Sequence, residues 1–66
     1  MTAHEKVIYI IQLLEISDSK VARAIQKGVS TTSHKRLRLR DNKFTEQDFQ
    51  RLRGFYIEKL RKIEML

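Results

Sequence analysis

Apolar residues return every three or four positions along most of this chain, the spacing of one buried side of an α-helix. Val7, Ile10, Ile11 and Leu14 form a first stripe, Val21, Ala22 and Ile25 a second, and Phe49, Leu52, Tyr56, Leu60 and Ile63 a third. Between the second and third stripes the pattern thins: the third predicted helix offers little beyond Leu37 and Leu39, with His34 one turn before Leu37. A helix with so narrow an apolar side is expected to be mostly exposed.

Capping chemistry sets the predicted boundaries. Thr2 followed by Glu5 has the spacing of a capping box, in which each side chain satisfies the other residue's free backbone N–H, so a first helix is predicted from Ala3 to about Glu15. Ser17 is a good N-cap for a second helix, with Ile16 and Val21 placed as a hydrophobic staple. Gly28 can take the left-handed conformation that ends a helix, and Ser30 is a fresh N-cap, so a third helix is predicted from Thr31 to about Leu39, anchored by His34 and Leu37. Asp41-Asn42-Lys43 reads as a turn. Thr45, Asp48 and the Phe44/Phe49 pair then supply the strongest helix start in the chain. An unbroken helix from there to Leu66 would be some 30 Å long and would overhang a small body, so Gly54 is expected to divide it into a fourth helix ending at Arg53 and a fifth beginning at Phe55.

With no proline, two glycines and many good helix formers, the 66 residues predict one all-α domain spanning residues 1–66, a compact bundle of four to five helices. A domain this small sits near the lower limit for folding alone. The absence of cysteine excludes a disulfide or thiolate metal site, and His4 and His34 are too far apart in sequence for a zinc pair, so no metal and no cofactor is expected. The longest apolar run, Val7 to Ile11, is far below the roughly 20 residues of a membrane-spanning helix, and no signal pattern opens the chain. A cytoplasmic protein without membrane partner is the expectation.

Charge changes this picture, because it is placed and not spread. Residues 27 to 43 hold six basic side chains, Lys27, Lys35, Arg36, Arg38, Arg40 and Lys43, against the single acid Asp41, and so carry five of the formal +6. Residues 1 to 26 balance three against three, and residues 44 to 66 carry five basic and four acidic residues. A basic helix on a small helical scaffold is the footprint of a protein that meets nucleic-acid phosphates. Two short helices joined by a tight turn, the second polar and basic, describe a helix-turn-helix.

The segment Gly28 to Leu37, GVSTTSHKRL, resembles the turn and recognition helix of the Cro- and repressor-type helix-turn-helix family of phages and bacteria. In that family a Gly-apolar-Ser turn is followed by three polar residues, an apolar one, two polar and another apolar. Gly28, Val29, Ser30, Thr31-Thr32-Ser33, His34, Lys35-Arg36 and Leu37 take those places, and Phe44-Thr45 is similar to the opening of the family's next helix. Two positions depart from the pattern. The apolar-Ala pair that precedes the family's glycine by five and four residues is Val21-Ala22 here, two positions too early, and His34 stands where an aliphatic residue is usual.

The resemblance implies a sequence-specific regulator of double-stranded DNA, most simply a repressor acting by occupancy, of phage or mobile-element origin. It implies that Thr31, Thr32, Lys35 and Arg36 face base edges, with Arg36 able to take guanine O6 and N7 together. Ser30 and Ser33 could donate to phosphate from the helix start. Lys20, Lys27, Arg38, Arg40 and Lys43 would neutralise flanking phosphates without reading sequence. Surplus apolar surface on the first helix (Ile8, Tyr9, Leu13, Ile16) and the last segment (Phe55, Ile57, Met65, Leu66) predicts a two-fold homodimer, and hence a palindromic operator.

Other classes fit less well. A protein-interaction module, adaptor or inhibitor, would use the same basic face to dock an acidic protein. An RNA binder is disfavoured because no aromatic residue interrupts the basic stretch. Catalysis has no nucleophile and base pair, phosphate-cradling glycine loop or metal cluster to rest on, so neither an enzyme nor a small-molecule substrate is expected.

Overall fold

The computed structural model describes all 66 residues as four helices and one short 3-10 turn, with no strand. The helices are α1 (Ala3–Leu14), α2 (Asp18–Ile25), α3 (Val29–Leu37) and α4 (Glu46–Glu64), and the 3-10 turn, Leu39–Asp41, follows α3. No helix is long and apolar enough to cross a membrane.

Three of the helix starts are built as their sequence suggests. Thr2 and Glu5 close a reciprocal capping box on α1, Ser17 Oγ accepts the Lys20 N–H at the start of α2, and Thr45 and Asp48 close a second box on α4. Each satisfies backbone donors that the first helical turn leaves free. The core they frame is formed by Val7 of α1, Val21, Ala24 and Ile25 of α2, Phe44 before α4 and Leu52 within it, with Ile8, Ile10, Ile11, Ile16, Phe49, Phe55 and Tyr56 packed around them. His4 stacks on Phe44 at 5.5 Å between ring centroids, and its Nδ1 accepts the Phe44 backbone N–H at 3.1 Å. At the other end of α1, Ile16 lies with Phe55 and Tyr56, so α1 and α4 run in the same general direction.

Both glycines act differently from expectation. Gly28 does not end α2: it is extended, with φ −72°, and serves as the N-cap of α3, which therefore begins at Val29 and not Thr31. The residue that turns left-handed is Gln26, φ 61°, whose N–H reaches the Ala22 and Arg23 carbonyls while the Lys27 N–H returns to Ala22. Ile25, fully buried, holds the end of α2 against the core, and the chain has to leave immediately after it. At its other end α3 stops at Leu37 on a left-handed Arg38, and Arg40 and Asp41 are left-handed too. The 3-10 turn therefore occupies residues assigned from sequence partly to the third helix.

Gly54 does not divide the last helix. A Cβ at Gly54 would have no neighbour within 4 Å, so the residue is an exposed helical glycine whose cost, about 1 kcal/mol relative to alanine, is too small to interrupt α4. The helix is about 28 Å long. Its last two turns run beyond the body, leaving Leu60 and Ile63 more than half exposed, and the molecule measures 43 × 24 × 19 Å.

Candidate nucleic-acid interface

The candidate interface begins with how α3 is attached. Its nine residues hold one fully buried side chain, Thr32, whose hydroxyl donates to the Gly28 carbonyl one turn back at 2.9 Å. Closing that local hydrogen bond makes a threonine tolerable at a position with no access to water. The other ties are ionic. Lys35 Nζ meets Asp48 Oδ2 at 2.6 Å, with the carboxylate side chain only 1% exposed. Arg36 is bidentate on Asp18, Nε to Oδ1 at 2.8 Å and Nη2 to Oδ2 at 3.1 Å, and Ser33 Oγ donates to the same Oδ2 at 2.7 Å.

The capping residues explain why these acids wait there. Asp48 is the third residue of α4 and already accepts the Thr45 N–H at 3.0 Å; Asp18 is the first residue of α2. Burial raises the Asp48 carboxyl, but the Lys35 ammonium and the Thr45 N–H and hydroxyl outweigh it and hold the group below the usual carboxylate range. The Arg36 hydrogen bonds hold Asp18 low against the opposing effect of burial, helped by Ser33, and raise Arg36 in return.

These ties fix the rotation of α3, and it differs from expectation. Of the four residues expected to face bases, Thr32 is sealed inside and Lys35 and Arg36 are bound to acids of the same chain; Thr31 alone is exposed and free. His34 and Leu37, expected to anchor the helix from behind, point outward instead, Leu37 at 55% exposure. At 100° per residue, Ser30, His34 and Leu37 share the side opposite Thr32 and Lys35. Ionic pairing and one hydroxyl bond, not apolar burial, choose the inward side here, so a search for the apolar stripe selects the wrong side.

The sequence did hold a signal for this. Val21 and Ala22, both buried, precede the left-handed Gln26 by five and four residues, and the inward Thr32 and Lys35 follow it by six and nine. Counted from Gln26 and not Gly28, those are the offsets that the resemblance implies, and the inward positions lie two residues before His34 and Leu37, where they were expected.

The remaining residues divide by location. Lys27, Arg38, Arg40 and Lys43 are exposed and form no ion pair. Arg38 and Lys43 share a groove at the α1 start with His4, Glu5 and Glu46, and there, after burial, these two cations are what lower the His4 pKa. Ser30 is exposed, whereas the Ser33 hydroxyl is committed to Asp18. Lys20 lies about 200° around α2 from Asp18, the residue that touches α3, and so faces away from this surface. Comparison with family models, curated proteins and solved structures gave no match for this chain.

Proposed function

We propose that the protein binds double-stranded DNA in a sequence-specific manner through the outer side of α3, as a regulator that represses by occupancy. The observation that carries this reading is that α3 lies on the body with Ser30, Thr31, His34 and Leu37 uncovered, followed by the unpaired cations Arg38, Arg40 and Lys43 and preceded by Lys27. The three-residue turn between α2 and α3, and the inward positions at fixed offsets from Gln26, support a helix-turn-helix arrangement. Base contacts fall to Ser30, Thr31 and His34, with Leu37 able to meet a thymine methyl. Lys27, Arg38, Arg40 and Lys43 supply the phosphate contacts. Lys35 and Arg36 hold the helix in place and read nothing.

The uncovered Tyr9, Leu13 and Leu14 of α1 and Leu60 and Ile63 of α4 support assembly as a homodimer, which would set two α3 helices roughly 34 Å apart on a palindromic operator.

Selection from a random duplex library tests the proposal directly. The expected outcome is an enriched site with two-fold symmetry, bound less tightly as salt rises. On that site His34→Ala and Thr31→Ala weaken binding more than on random duplex, while Lys43→Ala weakens both alike. Failure to enrich any sequence, or equal affinity for selected and random duplex, overturns the reading.

A further inference from the structure

A second surface lies on the other side of α2. Between the α2 edge formed by Lys20 and Arg23 and the α4 segment Phe55 to Lys59 runs an open groove of about 280 Å³, floored by Ile16, Phe55 and Tyr56 and rimmed by Lys20, Arg23 and Lys59. No carboxylate lines it, and none of its three cations belongs to an ion pair. The floor is fixed: Phe55 and Tyr56 meet edge to face at 5.2 Å, and both rings are half-buried. Lys20 and Arg23 lie about 200° and 140° around α2 from Asp18, so this groove and the outer side of α3 are separate surfaces.

We propose that this groove docks an acidic segment of a partner protein, with one aliphatic side chain on the apolar floor and flanking Asp or Glu residues on the three cations. Charge complementarity names the flanks, since three unpaired cations around one depression favour an anionic partner. The apolar floor names the anchor, because a buried hydrocarbon side chain supplies affinity that rim charges alone do not. Nucleic acid fits less well. The Lys59 ammonium sits 4.8 Å over the Phe55 ring and occupies the face on which a base would stack.

The test is selection of a random dodecamer peptide library on the 66-residue chain, followed by affinity measurement on a synthetic copy of an enriched peptide. Enriched sequences should place Asp or Glu around a single Leu, Ile or Val. Neutralising the rim with Lys20→Gln and Arg23→Gln, both exposed and outside the core, should weaken that peptide about tenfold, as should replacing its apolar anchor by glycine. Arg40→Gln with Lys43→Gln should leave its affinity unchanged. Absence of enrichment, enrichment of peptides without acids, indifference to the Lys20 and Arg23 changes, or equal displacement by a single-stranded oligonucleotide of the same charge each overturns the proposal. Loss of duplex recognition by α3 bears on the other surface alone and leaves this one standing.

Discussion

The body made by α1, α2 and α4 and the helix α3 that rests on it are held by different forces. The body closes around Val7, Val21, Ile25, Phe44 and Leu52, all at 1% exposure or less, and hydrocarbon packing of this kind carries most of a small domain's stability. Helix α3 contributes a single buried residue, a threonine, and is joined to the body by Asp18, Asp48, Ser33, Lys35 and Arg36. Burial of an ion pair adds little net stability, because desolvation offsets attraction, but removing one partner strands a charge. The polar ties therefore specify how α3 sits more than they stabilise it. The difference shows how a helix can be both weakly apolar and fixed in rotation.

The most damaging way to separate the two regions is to empty the body. Phe44→Ala removes the largest fully buried side chain and should cost about 4 kcal/mol, a large share of the whole stability of about 3 to 10 kcal/mol available to a chain this size. Thermal unfolding followed by circular dichroism should show little or no folded protein. Asp48→Ala attacks the tie instead and should cost about 3 kcal/mol, since it strands the Lys35 ammonium and opens the α4 capping box together. Adding Lys35→Met to that variant should recover part of the loss. If the double variant is as unstable as the sum of its parts, the pair does not act as a unit.

Arg36→Ala weakens a more exposed tie. The guanidinium is 38% exposed and its ion pair correspondingly screened, so the expected loss is about 1 kcal/mol. A duplex-binding measurement on the same variant should show equal weakening on selected and random DNA, as expected of a residue that positions α3. A loss confined to the selected site would mean that Arg36 leaves Asp18 to read a base. In the opposite direction, Gly54→Ala should raise the melting temperature through a gain of roughly 0.5 to 1 kcal/mol, because the new methyl enters open space on an intact helix.

The smallest expected effect is on pH. Burial, then Arg38 and Lys43, lower the His4 pKa below the ordinary histidine value, and its neutral Nδ1 is needed as acceptor for the Phe44 N–H. The neutral ring therefore contributes stability that is complete above roughly pH 6.5 and is lost as pH falls through the lower folded value. His4→Gln, which keeps an acceptor that does not titrate, should flatten the melting temperature across this window. The lowered Asp18 and Asp48 carboxyls act in the same direction further down, their contribution being present above roughly pH 4 and lost as pH falls through their folded values.

Much of the body was legible in the sequence. The apolar stripes, the Thr2/Glu5 and Thr45/Asp48 boxes and the Ser17 cap all lie within one or two helical turns, and local chemistry decides them. The glycines misled for a common reason. Their freedom permits a left-handed end or a break, but the left-handed residues are Glu15, Gln26 and Arg38, which end α1, α2 and α3, and Arg40 and Asp41 in the 3-10 turn. The candidate site suffered most from reading charge as exposure. Four basic residues between His34 and Asp41 look like one solvated face, yet two of them turn inward to acids on other helices.

The amino-acid order by itself determined the helical class, three of the four helix starts and the concentration of positive charge in residues 27 to 43. The inward side of α3, the length of α4 and the set of unpaired cations were settled by helix packing. A helix start depends on side chains about three residues apart, as in Thr45 and Asp48, and so can be read in one short window. The rotation of α3 depends on Asp48 and Asp18, separated by 13 and 18 positions from the cations they hold, and those meetings exist only once the helices have packed.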